Sequence, residues 1–362
     1  MKKFSFITSL LVAAFLLGSC QSHREDKGKS ESVKIQKVSV QGNLLVDAKG
    51  DKVIYKGLAL NDPAVLTAEK EWNEAHFDHI QKWGANVVRI PITPSNWQKH
   101  GKEFYFDAID KAVTWSKTRG ISIMIDWHSI GNLKDRKFQR PGYTTTLEET
   151  IEFWDLMSKR YKNEETVAFY EIFNEPTTFF GKLGEMTWDE WRAIVQIIGQ
   201  TIRSNDDDTV IIAGGLNWAY DLRDAKNKPF LLDNLAYSVH PYPQKSKDDK
   251  NSSMEEKWDK TWGFMAQKYP LIATEFGYMS EDDKGAHIPC IGDDAWGKRL
   301  VNYFNKNNIN WTVWCFHWSW TPSLIERDYS PREGQGQFFK DVMSNNITNF
   351  DDVKIPVIGA KN

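Results

Sequence analysis

Eight short apolar runs, rich in β-branched and aromatic residues, recur along this chain at intervals of about 25–45 residues. They occupy 53–58, 86–90, 121–125, 167–173, 209–213, 235–239, 271–274 and 310–315. Several are almost wholly apolar, as a strand covered on both faces must be. Helical patterns fill the gaps. Thr146 and Glu149, and again Thr187 and Glu190, have the spacing of a capping box. Leu147, Ile151, Trp154 and Tyr161 follow the first on one helix face; Trp191, Ile194, Val195, Ile198 and Ile202 follow the second. Trp72, Ile80 and Trp83 mark an earlier helix, and Gly84 and Gly120 stand where helices should stop. Eight strands alternating with helices is the count of a (β/α)8 barrel, an α/β fold spanning residues 37–362 as one domain. A doubly wound open sheet competes, but no glycine-rich phosphate loop follows the first run. Residues 37–46 and 52–55 flank the turn-rich Asp47-Ala48-Lys49-Gly50-Asp51, which predicts a hairpin leading into the first strand. The polar stretch 244–257 reads as a long loop after the sixth.

Composition narrows the function classes. A net charge of −3 excludes a basic nucleic-acid-binding surface as the dominant feature. Three cysteines exclude a disulfide scaffold and a four-thiolate zinc site. Neither an HExxH pattern nor paired cysteines appear, so no metal and no cofactor are expected. Sixteen tryptophans are many for 362 residues. A large core accounts for most of them, and flat rings that stack on sugars are the functional alternative.

The N-terminus reads as an address. Lys2 and Lys3 precede an apolar run, 4–17, too short to span a bilayer comfortably. It ends in Leu17-Gly18-Ser19-Cys20, which resembles a bacterial lipobox. The expectation is a signal peptide over 1–19, lipid on Cys20, and a polar tether over 20–36. Gln21, rather than Asp, after Cys20 implies the outer membrane of a Gram-negative cell. An ordinary secretory signal is the alternative, and both place the protein outside the cytoplasm. Cys290 and Cys315 then remain, able to pair only if the fold brings them together.

Polar and aromatic residues gather where the strands end, the edge at which barrels carry their chemistry. Arg89 ends the second; Asp126 and His128 the third; Asn174 and Glu175 the fourth. Asn217 and Trp218 follow the fifth; His240 and Tyr242 end the sixth; Glu275 the seventh; Trp314, His317 and Trp318 the eighth. Glu175 and Glu275, on strands across the barrel from each other, can approach a substrate from two sides. Cleavage of a glycosidic bond needs such a pair, one to protonate the leaving oxygen and one to act at the sugar carbon. The bland alternative is that either glutamate is only a buried ion-pair partner of Arg89.

These segments resemble family 5 glycoside hydrolases. The motifs are 84–91 (GANVVRIP), Asp126-Trp127-His128, Ile172-Phe173-Asn174-Glu175-Pro176, His240-Pro241-Tyr242, Glu275-Phe276-Gly277 and the tryptophans around Trp314. They stand in the family's order. The resemblance implies a retaining, endo-acting hydrolase of a β-linked polysaccharide, expected to be β-1,4-glucan, working as a monomer on polysaccharide or oligosaccharide. It implies Glu175 as acid/base, with a raised pKa, and Glu275 as nucleophile, kept ionised by Arg89 and bonded by Tyr242. Asn174 would hold the 2-hydroxyl, His128 and His240 would orient the sugar and Glu175, and Trp314 would form the floor. Trp127, Trp218, Trp318 and Trp320 are candidates for neighbouring subsites. β-Mannan, xyloglucan and β-1,3-containing glucan are alternative substrates. A non-catalytic glycan-binding lipoprotein and a metal-dependent barrel enzyme are alternative functions. No role attaches to Leu60-Asn61-Asp62-Pro63 or to His317.

Overall fold

The computed structural model describes residues 37–246 and 252–350, together with Met1 and Ile35. The signal peptide, Cys20 and nearly all of the tether lie outside the described residues. Eight parallel strands close into a barrel: Lys56–Ala59, Val87–Ile92, Ser122–Trp127, Val167–Glu171, Val210–Gly214, Leu235–Ser238, Leu271–Ala273 and Asn310–Val313. Each falls on one of the eight apolar runs. Pairing of Val313 with Leu58 joins the last to the first, which excludes the open sheet. Among the described residues no helix is long and apolar enough to cross a membrane.

A two-residue alternation sorts the strand side chains. Val87, Met124, Phe169, Val210, Ile212, Ala236 and Ile272 fill the barrel interior. Val88, Ile123, Ile125, Tyr170 and Ile211 pack outward against the helices. The helices begin and end as their residues dictate. Thr187 and Glu190 close a capping box at Trp188–Arg203, and its buried face carries Trp191, Ile194, Val195, Ile198 and Ile202. Thr146 accepts from the Glu149 N–H at the start of Leu147–Tyr161. Gly84 ends the turn after Glu74–Lys82 with φ +79°; a Cβ there would also stand 2.9 Å from the Met343 carbonyl.

The hairpin turns earlier than the sequence suggests. Ser39–Gln41 pairs with Leu44–Val46 around Gly42-Asn43, where Gly42 supplies the positive φ that so short a turn requires. The 47–51 turn adds a single bridge, Val46 to Lys52. Val38, Leu45 and Tyr55 join the interior cluster, so the hairpin plugs one end of the barrel. The 244–257 stretch is likewise less of a loop than its polarity implies. Pro243–Ser246 is a 3₁₀ turn, and Ser253 caps the helix Met254–Thr261, which buries Trp258. Cys290 and Cys315 are buried and unpaired.

Asp62 accounts for the 60–63 segment. Its carboxylate accepts from the Ala64 N–H at 2.8 Å, capping Pro63–Ala68, and from the Thr93 N–H and the Tyr105 hydroxyl, both at 2.8 Å. Asp62→Ala leaves three donors without this acceptor. It is expected to lower the unfolding free energy by about 3 kcal/mol in denaturant melts.

Candidate active site

The alternation that packs the interior with hydrocarbon at one end fills it with charge at the other. Arg89, Asp126 and Glu171 are the next inward positions above Val87, Met124 and Phe169, and all three are fully buried. Arg89 is shared among them. Nε donates to Glu171 Oε2 at 2.6 Å, Nη2 lies 2.9 Å from Asp126 Oδ2, and Nη1 donates to Glu275 Oε2 at 3.1 Å. Nη2 also donates to Asn174 Oδ1 at 2.6 Å. Among the described residues the Asn174 Nδ2 amide has no acceptor. Burial lowers the affinity of Arg89 for its proton, but the three carboxylates outweigh it and hold the guanidinium charged.

Glu175 is pinned by backbone. Beyond the third strand, Ile130–Asn132 pairs with Lys137–Phe138 and with Glu175–Pro176, a small sheet over the barrel mouth. The Asn174 N–H donates to the Trp127 carbonyl and the Glu175 N–H to the Ser129 carbonyl. Glu275 is held from both oxygens, by Arg89 at Oε2 and by the Tyr242 hydroxyl at Oε1, 2.8 Å away. One oxygen each of Glu175 and Glu275, with a His240 nitrogen, lie within 4.8 Å of one another. These glutamates keep 7% and 8% of their surface, whereas Arg89, Asp126, Glu171, Asn174 and His240 keep none. Among the buried acids gathered around Arg89 and His240, these two carboxylates are therefore the ones open to the mouth.

The hydrogen bonds locate a proton. Thr274 Oγ1 donates to Glu171 Oε1 at 2.6 Å, and Glu171 is held down to about 2 because Arg89 and His240 outweigh its burial. With its one hydrogen used there, Thr274 must accept from His240 Nε2–H, 3.0 Å away. His240 Nδ1 sits 2.9 Å from Glu175 Oε1, and that contact carries a proton whichever partner owns it. The pair titrates as one unit. Burial pushes Glu175 up, but Lys245 and His240 hold it below the usual range; burial pushes His240 down, but Glu275, Glu171 and Glu175 hold it above. The raised pKa expected of Glu175 alone is therefore not what the site provides: its own direction is downward, and the proton belongs to the Glu175–His240 pair. Burial and Arg89 together push His128 down to about 4, so its ring is neutral, and its Nδ1 shares a hydrogen bond with Asp126 Oδ2 at 2.7 Å.

Of the tryptophans, Trp314 lies parallel to the His128 ring, centroids 5.6 Å apart, at the mouth. Trp320 is 38% exposed and meets it edge-on. Trp218 stands at the rim against Phe179 and Phe180, its Nε1 donating to Gln139. One face of Trp318 is covered by the Arg327 guanidinium, 4.0 Å from the ring centre. Trp127 is no subsite residue. It points outward, fully buried between Trp97 and Phe153, because its neighbour Asp126 points inward. His317 is buried beside Trp318 and pairs with Glu69 at 2.7 Å.

Three residues in contact with this site escape a reading of strand ends: Glu171, Thr274 and Lys245. A glutamate inside the apolar run 167–173 is the signal that could have found the first. Lys245 Nζ lies 3.7 Å from Glu175 Oε1 and donates to the Trp218 carbonyl at 2.8 Å. That carbonyl belongs to a turn in which Asn217, Trp218 and Ala219 all have positive φ, at about 1–2 kcal/mol per residue.

Arg89→Met removes the one cation shared by three buried acids. The expected outcome is a loss of roughly 3–5 kcal/mol of unfolding free energy in denaturant melts.

Comparison with known proteins agrees with this geometry. A model of the family Cellulase (glycosyl hydrolase family 5) matches residues 46–319. The β-glucanase of Saccharophagus degradans, solved in complex with cellotetraose, is 40% identical; the match covers 87% of this chain and 95% of that one, with a TM-score of 0.83. An endoglucanase of Paenibacillus polymyxa is 26% identical, with 88% of each chain covered. Endoglucanase A of Butyrivibrio fibrisolvens is 27% identical over 76% of this chain and 60% of its own length. Matched along most of its length and built on the same barrel, the chain belongs to the cellulase family, glycosyl hydrolase family 5, and is a glycoside hydrolase.

Proposed function

We propose that the chain is an endo-acting hydrolase of β-1,4-glucan that retains anomeric configuration, with Glu275 as nucleophile and Glu175 as acid/base. The observation that carries this is the approach of the two partly exposed carboxylates within 4.8 Å. Carboxyl groups about 5–5.5 Å apart attack the sugar directly, whereas an inverting pair stands about 6.5–9.5 Å apart to admit a water. The endoglucanase relatives and the β-glucanase seen with cellotetraose support a β-1,4-glucan chain as substrate.

In the first step Glu275 attacks the anomeric carbon as the Glu175–His240 pair delivers its proton through Glu175 to the departing oxygen. A covalent glycosyl ester forms on Glu275. Glu175, now ionised, takes a proton from water, which attacks the same carbon and expels Glu275. Arg89 and Tyr242, bonded to separate oxygens of Glu275, aim the nucleophile. The unpartnered Asn174 amide is a donor for the 2-hydroxyl of the sugar being cleaved, and Trp314 with His128 offers it a flat wall.

Glu175→Gln is expected to lower kcat on soluble β-1,4-glucan by roughly 10²–10⁴-fold, and Glu275→Ala to abolish it, with both variants folded by circular dichroism. NMR should show the β-anomer released first. Near-wild-type turnover in either variant, or α-product, refutes the assignment. Viscosity should fall ahead of reducing-end release, and cleavage of β-mannan or xyloglucan in preference to β-1,4-glucan would overturn the linkage.

The N-terminal sequence supports a second part of the reading, a lipid on Cys20 that tethers the enzyme to the outer membrane. Radiolabelled palmitate should enter the wild-type protein and not Cys20→Ala, which should move to the soluble fraction. Equal labelling of both removes the anchor.

A further inference from the structure

Lys245 is a residue that the mechanism above does not use. It follows the sixth barrel strand and, among the described residues, is the only lysine or arginine paired with Glu175. Its ammonium is seated on the Trp218 carbonyl. The next carbonyl of the same turn, that of Ala219, accepts the His240 N–H at 2.9 Å. One left-handed turn, 217–219, therefore places both of the groups that bear on the Glu175 carboxylate: the imidazole that shares its proton and the cation beside it.

We infer that Lys245 is a positioning residue for the acid/base: held by the 217–219 turn, it keeps the Glu175–His240 pair a stronger acid and stabilises the carboxylate left once the proton has gone. This rests on the acid/base role proposed for Glu175. A fixed positive charge at 3.7 Å disfavours a bound proton on either member of the pair. The other titratable groups facing Glu175 are of different kinds. Tyr242 and Cys290 are driven above their usual values and stay neutral, as does Tyr143, pushed up to about 12. His128 is neutral, and Glu275, being an acid, acts in the opposite sense. Lys245 also has a cost, since burial lowers its own affinity for a proton. The pairing with Glu175 and the Trp218 carbonyl offsets that cost.

The test is the pH profile of kcat/KM on soluble β-glucan for the wild type, Lys245→Met and Lys245→Arg. The basic limb reports loss of the proton that the first step needs. In Lys245→Met it should move up by about one pH unit, and in Lys245→Arg it should stay with the wild type. A limb position does not depend on how much of the enzyme is folded, so a loss of stability leaves the readout intact. Coincident limbs in Lys245→Met and wild type overturn the proposal, and so does an equal shift in Lys245→Arg. If Glu175→Gln is inactive while Lys245→Met keeps the wild-type limb, only the role of the lysine falls. If Glu175→Gln keeps its turnover, the acid/base assignment falls first.

Discussion

One guanidinium, buried and shared among Asp126, Glu171 and Glu275, is the interaction on which the site depends. Acids crowded together at the buried end of a barrel oppose one another's charge. Arg89 offsets part of that cost, and its planar fork fixes Glu275 Oε2 and the Asn174 carbonyl in direction as well as distance. A lysine at position 89 would supply the charge without the fork. The remaining excess of negative charge has to be met by protons, and burial does hold Asp126 well above its usual range despite Arg89.

The same electrostatics show how Glu175, in the acid/base role proposed for it, can pass on a proton although its surroundings favour its ionised form. Thr274, committed to Glu171, leaves His240 only one way to orient its ring, with Nε2–H toward the threonine. The proton that the proposed acid/base would deliver then lies between Nδ1 and Glu175. Storing it on a pair makes it available while leaving the carboxylate easy to ionise for the second step. The strained 217–219 turn is consistent with this. Three consecutive non-glycine residues in the left-handed region persist only where surrounding contacts over-determine them, and here the carbonyls of Trp218 and Ala219 bind Lys245 and the His240 backbone.

Much of the fold was legible in the residues. The eight runs became the eight strands, and Thr146, Thr187 and Gly84 mark helix boundaries as their chemistry dictates. Where the reading failed, the physical reasons differ. Trp127 follows Asp126 in the motif, but adjacent strand residues face opposite ways, so it cannot share the mouth. The hairpin was centred on the polar 47–51 turn, whereas Gly42 allowed a tighter one. The helix Met254–Thr261 hid in a charged stretch because it buries little besides Trp258. Lys245 carries no pattern at all; its meaning comes from two contacts, one with residue 175 and one with residue 218.

By itself the sequence determined the barrel and the edge at which its polar residues emerge, because strand periodicity and helix capping are local properties of the chain. It also named the two glutamates, through motifs short enough to read in one dimension. Their separation, the exposure that distinguishes them from Glu171 and Asp126, and the location of the shared proton were decided only in the tertiary structure. Those depend on distances and desolvation between residues some seventy to a hundred positions apart, which nothing local to either residue encodes.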